Sequence, residues 1–437
     1  MRIDSAPVEE RTNAFDREVF NPSSAVHNGF KMRSYRGLRA VGIGLAITLS
    51  HLALAIGLLA PDGSLASRYE RLIQHDSFWF ANIVNRGYQT TVPPIDHKVM
   101  EVSNVGFFPA YPVLAAALRY ALGLTTGSAL LITAQAAAWG FWSYFFLFCE
   151  RWNVSPAAAG LGALFVLAHP ASFFLIAGYS ESLFLMTLLG FMYWSESRSR
   201  AGRVWACLHG GMMSATRIVG IPCALFPVVQ SLFSTGRDFL NKPFAWLRSH
   251  WQPIAITVVS TLGAGAFFLF CQLRWGHWDM YMLTQFSGWG ITPDYLAIFR
   301  PSSYRWLTPA LNNPTEASQM TMTIGGLMLV AIAVFEFVPA LRRGTNWRAR
   351  IGIYFCAGLI YFVSVSAVAC VKMESMLRYE FCVHALIVLA FLHFLRQFRP
   401  PPVSVRALGV MVALASAAGL SVQGWYLWNF TRGNWIA

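Results

Sequence analysis

Charge is what this 437-residue sequence lacks most. Asp, Glu, Lys and Arg make up 12% of it, against about 25% in soluble domains. Acids are the scarcer kind, 20 against 33 Lys and Arg. Such a composition excludes an ordinary soluble enzyme. The seven cysteines (Cys149, Cys207, Cys223, Cys271, Cys356, Cys370 and Cys382) show no C-x-x-C or zinc-type spacing, lie in or beside apolar runs and read as small core residues. No serine nucleophile motif, phosphate-cradling glycine loop or H-x-x-x-H pair stands out, and no inverted repeat of the transporter kind is visible. No cofactor is assigned. A divalent metal lacks support, since His75 and Asp76 could share one only with ligands from elsewhere.

What the chain has is apolar length. Apolar residues make up 56% of it, and runs near 20 residues recur, each able to cross a hydrocarbon core about 30 Å thick. Spans are expected at about 37–60, 127–149, 156–175, 179–195, 203–218, 219–235, 252–272, 320–341, 351–371, 380–396 and 404–428. The expectation is an all-α polytopic membrane protein of about eleven transmembrane helices. Residues 1–36 read as a disordered cytoplasmic tail and 37–437 as one transmembrane domain. The first apolar run is too long for a cleaved signal peptide.

A net charge of +13 would suggest nucleic acid in a soluble protein. Here the basic residues follow a topology rule instead. Lys31, Arg33, Arg36 and Arg39 precede the first span; Arg198, Arg200 and Arg203, then Arg237, Lys242 and Arg248, then Arg342, Arg343, Arg348 and Arg350, then Arg396, Arg399 and Arg406 flank later ones. All five groups fall on one face if residues 107–123 do not cross the membrane. The amino terminus and basic loops are therefore placed in the cytoplasm. The 61–126 loop, the 272–319 loop, the 372–379 turn and the carboxyl terminus go outside.

Long connections are usually functional or disordered, so the two outer loops are where chemistry is sought. In the first, Leu72, Phe78, Trp79, Ala81 and Ile83 could rest in the membrane interface, with Arg68, Arg71, His75 and Asp76 facing water. Asp76, between His75 and the aromatics Phe78 and Trp79, is the acid singled out as a proton acceptor; its plain alternative is a solvated loop carboxylate. Glu181 follows Tyr179-Ser180 at the edge of an apolar run. It reads equally as a functional carboxylate or as a helix N-terminal acid behind a Ser180 cap. Arg217 lies between two apolar stretches and could hold a phosphate or pair with Glu181. Lys372 and Arg378 read as further phosphate partners or as snorkelling cations. Trp275, His277, Trp278, Asp279, Trp289 and Tyr295 could form a sugar-stacking surface or an interfacial aromatic belt.

Four pieces, taken in order, carry a resemblance. They are His75-Asp76-Ser77-Phe78-Trp79 with Arg86-Gly87-Tyr88; Phe107-Phe108-Pro109-Ala110-Tyr111-Pro112; Pro170-Ala171-Ser172-Phe173-Phe174 with Tyr179-Ser180-Glu181-Ser182; and Ala215-Thr216-Arg217 with Gly220. Together they resemble the PIG-V family, the GPI mannosyltransferase 2-type enzymes and their prokaryotic relatives within the GT-C class. The resemblance covers about 75–220, with Arg378-Tyr379 as a later echo. It implies a GT-C-like fold and an inverting transfer of a sugar, typically mannose, from a polyprenyl-phosphate donor to a lipid or glycan acceptor on the non-cytoplasmic side. It implies Asp76 as general base, the acid such enzymes use in the first outer loop; His75, Trp79, Glu101, Tyr179, Glu181, Arg217, Lys372 and Arg378 are the residues expected around the substrates. The membrane would be a bacterial inner membrane or, in a eukaryote, that of the endoplasmic reticulum. A departure from the family, the insert-like stretch 89–105, leaves the acceptor open. The competing readings are a transporter or flippase of an amphipathic solute, and a non-catalytic scaffold.

Overall fold

A computed structural model describes residues 22–90, 103–235, 238–305, 313–338, 346–373, 375–398 and 402–436, and every regular element among them is helical. The chain divides at Arg39, within the first helix, and every side-chain contact and the site described below lie in the second unit, Ala40–Ala437. In order, the helices are α1 (Pro22–Leu54), α2 (Leu65–Glu70), α3 (Asp76–Arg86), α4 (Ala110–Leu122), α5 (Thr126–Arg151), α6 (Pro156–Leu167), α7 (Glu181–Ser195), α8 (Arg200–Ser214), α9 (Gly220–Cys223), α10 (Phe226–Thr235), α11 (Asp238–Asn241), α12 (Pro243–Ser249), α13 (Trp251–Trp275), α14 (Met280–Trp289), α15 (Pro314–Phe337), α16 (Ile351–Val368), α17 (Met376–Phe398) and α18 (Pro402–Phe430).

Among the described residues, seven helices are long and apolar enough to cross a membrane: Gly37–Leu59, Thr126–Arg151, Trp251–Trp275, Thr315–Phe337, Ile351–Val371, Met376–Phe398 and Arg406–Phe430. The chain is an integral, multi-pass membrane protein. Shorter apolar helices fill the remaining length. The 156–175 stretch, for instance, stops at Leu167, where His169-Pro170 turns the backbone into a 3-10 turn over Ser172–Leu175. At about 1.5 Å per residue, the 13 residues of α4 reach only about 20 Å, short of a full crossing.

Capping follows the sequence. Ser64, Thr125, Ser155 and Ser199 accept from the first turns of α2, α5, α6 and α8, and Gly123 and Gly276 close α4 and α13 in the left-handed conformation. Helices α8 and α13 pack closely, because a side-chain carbon at Gly263 would overlap the Gly211 carbonyl. Ser214 Oγ then donates to the Ser260 carbonyl at 2.6 Å, which fixes the end of α8 just before Arg217.

The described residues of the basic loops within Ala40–Ala437 lie at one end of the bundle. There Arg151 donates to Glu196 at 2.9 Å, Arg203 to Gln252 at 3.3 Å, Arg396 to the Asn153 carbonyl at 2.9 Å and Gln230 to the Arg348 carbonyl at 2.8 Å. Glu181, Arg217 and Arg378 lie at the opposite ends of α7, α8 and α17.

Candidate active site

At that opposite end a cavity of about 1070 Å³ opens between the starts of α3, α7 and α17, the end of α8, and α14. The four sequence pieces converge on it. The Ala110 N–H donates to the Ala215 carbonyl at 2.8 Å, joining the Phe-Phe-Pro piece to the segment ahead of Arg217. Gly178 donates to the Leu72 carbonyl at 3.2 Å, and a side-chain carbon there would come within 2.5 Å of Ile73 Cδ1 and 2.9 Å of Ser77 Oγ. That contact brings Tyr179 and Glu181 beside Asp76. The Arg86-Gly87-Tyr88 piece serves as frame: Tyr88 donates to the Phe107 carbonyl at 2.8 Å, and Asn104 donates to Asn82 at 2.7 Å and to the Gly87 carbonyl at 3.0 Å.

Acids and arginines alternate along the cavity wall. Arg378 donates from one terminal nitrogen to Asp76 Oδ2 at 2.5 Å, and its Nε lies 3.2 Å from Glu181 Oε1. Arg217 donates to the same Glu181 oxygen at 2.8 Å. Aromatic faces hold both guanidinium groups: Arg217 sits 4.8 Å from the Tyr379 ring centre, and Arg378 sits 5.2 Å from those of Tyr179 and Tyr379. Trp79 packs on Phe107 and on Trp289, each ring pair 5.7–5.8 Å apart, and closes the opposite wall. His75 rests against Trp435, and its Nε2 lies 3.1 Å from the Asn434 carbonyl, so the carboxyl-terminal segment covers one side.

Asp76, His75, Trp79, Tyr179, Glu181, Arg217 and Arg378 all line this cavity. Lys372 is exposed on the turn ahead of Arg378 and does not line it; Glu101 lies outside the described residues. Two expectations about the first outer loop are corrected. Leu72, Trp79 and Ile83 are buried in protein rather than resting in a lipid interface, and Asp76 meets Arg378 rather than open water. The reason is that α3 packs on α4 and α5, with Phe80 against Tyr111 and Phe107. Ser180 does not cap α7 through its side chain, and Glu181 bridges two arginines instead. Of the second loop's aromatics, Trp289 and Tyr295 reach the cavity while Trp278 is exposed beyond it.

The cavity also takes residues that no sequence pattern marks. Tyr281 and Gln285 from α14 are among them. Burial holds the Tyr281 phenol well above its usual range, which keeps it a neutral hydrogen-bond donor. Beside the cavity, His169, Glu380 and His384 form a buried cluster with ligand atoms within 4.8 Å of one another. The donor set does not fit a metal. His169 Nδ1 accepts from the Ala171 N–H at 3.1 Å, so Nε2 carries the proton and donates it to Glu380 at 2.8 Å, which leaves no lone pair for an ion. The i, i+4 spacing of Glu380 and His384 on one helix was the available sequence signal.

Two crystal structures of ArnT from Cupriavidus metallidurans, one bound to undecaprenyl phosphate and one in the apo state, superpose with TM-scores of 0.51 and 0.50. Each alignment covers 90% of this chain and 77% of that one, at 14% sequence identity. The chain shares the ArnT fold. The all-α, polytopic, GT-C-like class expected from the sequence is the class it has. No family model and no curated protein matches the sequence.

Proposed function

We propose that the protein is a membrane glycosyltransferase that takes a sugar from a polyprenyl-phosphate donor and passes it to a lipid or glycan acceptor. The observation that carries this reading is the pairing of Asp76 with a double-arginine cluster inside one large, aromatic-walled cavity at a single end of a membrane bundle. The bound undecaprenyl phosphate of the ArnT structure supports an isoprenoid phosphate as the lipid part. The four motifs favour mannose as the sugar and the PIG-V family as the kin. The basic loops at the far end of the bundle favour a cytoplasmic amino terminus and an extracytoplasmic cavity.

In this reading Asp76 takes the proton from the acceptor hydroxyl as its oxygen attacks the anomeric carbon. The bond from that carbon to the phosphate oxygen breaks on the opposite side, and the electron pair leaves with the polyprenyl phosphate, so the configuration inverts. The leaving group is already a stable anion, and the protein's task is orientation and positive charge. Arg378 and Arg217 supply the charge, and Trp79, Tyr179 and Trp289 supply faces for the sugar. The test is mass spectrometry of envelope lipids and glycans with and without the gene, paired with transfer by the purified protein from a mannosyl polyprenyl phosphate. A lipid and glycan profile unchanged by deletion, with no transfer in vitro, overturns the proposal.

A further inference from the structure

The cavity's charges neutralise one another, and the pairing is incomplete at one point. Arg378 Nε faces Glu181 Oε1 at 3.2 Å without the alignment of a hydrogen bond, and Glu181 Oε2 has no hydrogen-bond partner, although both side chains are buried. Meanwhile a terminal nitrogen of Arg378 donates to Asp76 Oδ2, so the carboxylate assigned as base is held by a cation. The turns that deliver these two side chains are strained. His75 has φ 48°, and Lys372, Met373 and Ser375 have φ 56°, 63° and 67°, conformations that non-glycine residues keep mainly at functional and switching sites. Among the described residues, Asn153 is the one other non-glycine residue with positive φ.

We propose that the Asp76–Arg378 pair is a latch which the donor opens: the incoming phosphodiester monoanion draws Arg378 off Asp76 and so frees the base only when the leaving group is in place. The proposal rests on the transferase reading and adds an order to it, donor before acceptor. A guanidinium suits this exchange, since its planar fork can offer paired donors to phosphate oxygens. The rings of Phe174, Tyr179 and Tyr379 lie 5.2–5.8 Å from its centre and give it flat faces along which to turn. Glu181, facing Nε, holds the pivot.

Farnesyl phosphate, a sugar-free isoprenyl phosphate, tests this by calorimetry on the purified full-length protein. The latch predicts that Asp76→Asn binds it about ten- to hundredfold tighter than wild type, the scale of one charge-assisted hydrogen bond no longer competing. It predicts that Arg378→Gln binds it at least about tenfold more weakly. The deciding case is the double variant, in which the gain from Asp76→Asn should vanish because its route runs through Arg378. A gain that persists without Arg378 reports simple relief of anion repulsion and overturns the latch. Should Arg378→Gln not fold, Arg378→Lys serves the same cycle, with the gain shrinking rather than vanishing; an undiminished gain overturns the latch. Equal affinity of wild type and Asp76→Asn removes the latch but leaves the transferase. No binding to any form removes both.

Discussion

The protein contains two buried networks built from the same residue types, at opposite ends of the bundle. At the basic end, Arg350 donates to both oxygens of Glu336 at 2.5 and 2.9 Å and to Gln397 at 2.8 Å, while Tyr354 donates to Glu336 at 2.5 Å. Arg350 and Glu336 are buried, and every side-chain polar atom of Arg350, Glu336, Tyr354 and Gln397 has a hydrogen-bond partner. At the cavity end, Asp76, Arg378, Glu181 and Arg217 alternate in the same manner, yet Glu181 Oε2 and Arg378 Nε have no hydrogen-bond partner and the group borders a cavity of about 1070 Å³. A closed network of this kind ties α15, α16 and α17 together and has nothing left to offer a ligand. The open one holds charges whose pairing is provisional. The difference between architecture and site therefore lies in satisfaction and access, not in residue type.

The largest effect expected is on turnover. Asp76→Asn is nearly isosteric and keeps an acceptor oxygen but cannot take the proton, so the rate of sugar transfer should fall roughly 10²–10⁴-fold with the fold intact. Retention of more than about half the wild-type rate would remove Asp76 from the base role. The closed network should respond in the opposite currency. Glu336→Gln strands the Arg350 charge in the protein interior and should cost about 3–5 kcal/mol of stability, while the rate per folded molecule stays near wild type. Unfolding curves and transfer rates on the same samples separate the two; a Glu336→Gln protein that keeps full stability would break the contrast.

The two networks were unequally legible in the sequence. The open one announces itself, because Asp76, Glu181 and Arg217 sit in polar interruptions beside long apolar runs, where a charge demands an explanation. What the sequence does not carry is the partner of each charge. Arg378 meets Asp76 across 302 positions, and only the packing of α17 against the Ala171–Gly178 corner and α7 decides that. Arg350 and Glu336 hid for a different reason. Arg350 reads as one of several topology-setting cations, and Glu336 falls inside the expected 320–341 span without being singled out. About eleven spans are expected from hydropathy against seven long apolar helices among the described residues, because hydropathy marks apolar length but not where the backbone bends, as at His169-Pro170 and between Arg217 and Gly220.

Arg217 sharpens the comparison at intermediate scale, since it belongs to the open network yet already has a good bond to Glu181 at 2.8 Å. If it also holds the donor phosphate, Arg217→Lys should keep the ion pair but raise the donor KM about tenfold, because a point charge cannot reproduce the paired donors of a guanidinium. The acceptor KM should change less. A lowered Tm with unchanged donor KM, rescued by Glu181→Gln in Arg217→Ala, would place Arg217 with the architectural pairs instead.

The smallest effect tests whether the closed network is closed. Tyr354 gives its hydroxyl to a Glu336 oxygen that Arg350 already engages, and itself receives Arg350 Nε–H at 3.1 Å. Tyr354→Phe leaves the Arg350–Glu336 fork whole, so it removes the phenol's bond to Glu336 and its share of the Arg350 Nε–H, which Glu336 keeps, without exposing either charge. The expected loss is about 1.5–3 kcal/mol, read from denaturant unfolding, with donor and acceptor KM unchanged. A loss as large as that of Glu336→Gln would mean that the fork does not stand without the phenol. Any shift in donor KM would mean that the two ends of the bundle are coupled, and the separation between a finished network and a working one would no longer hold.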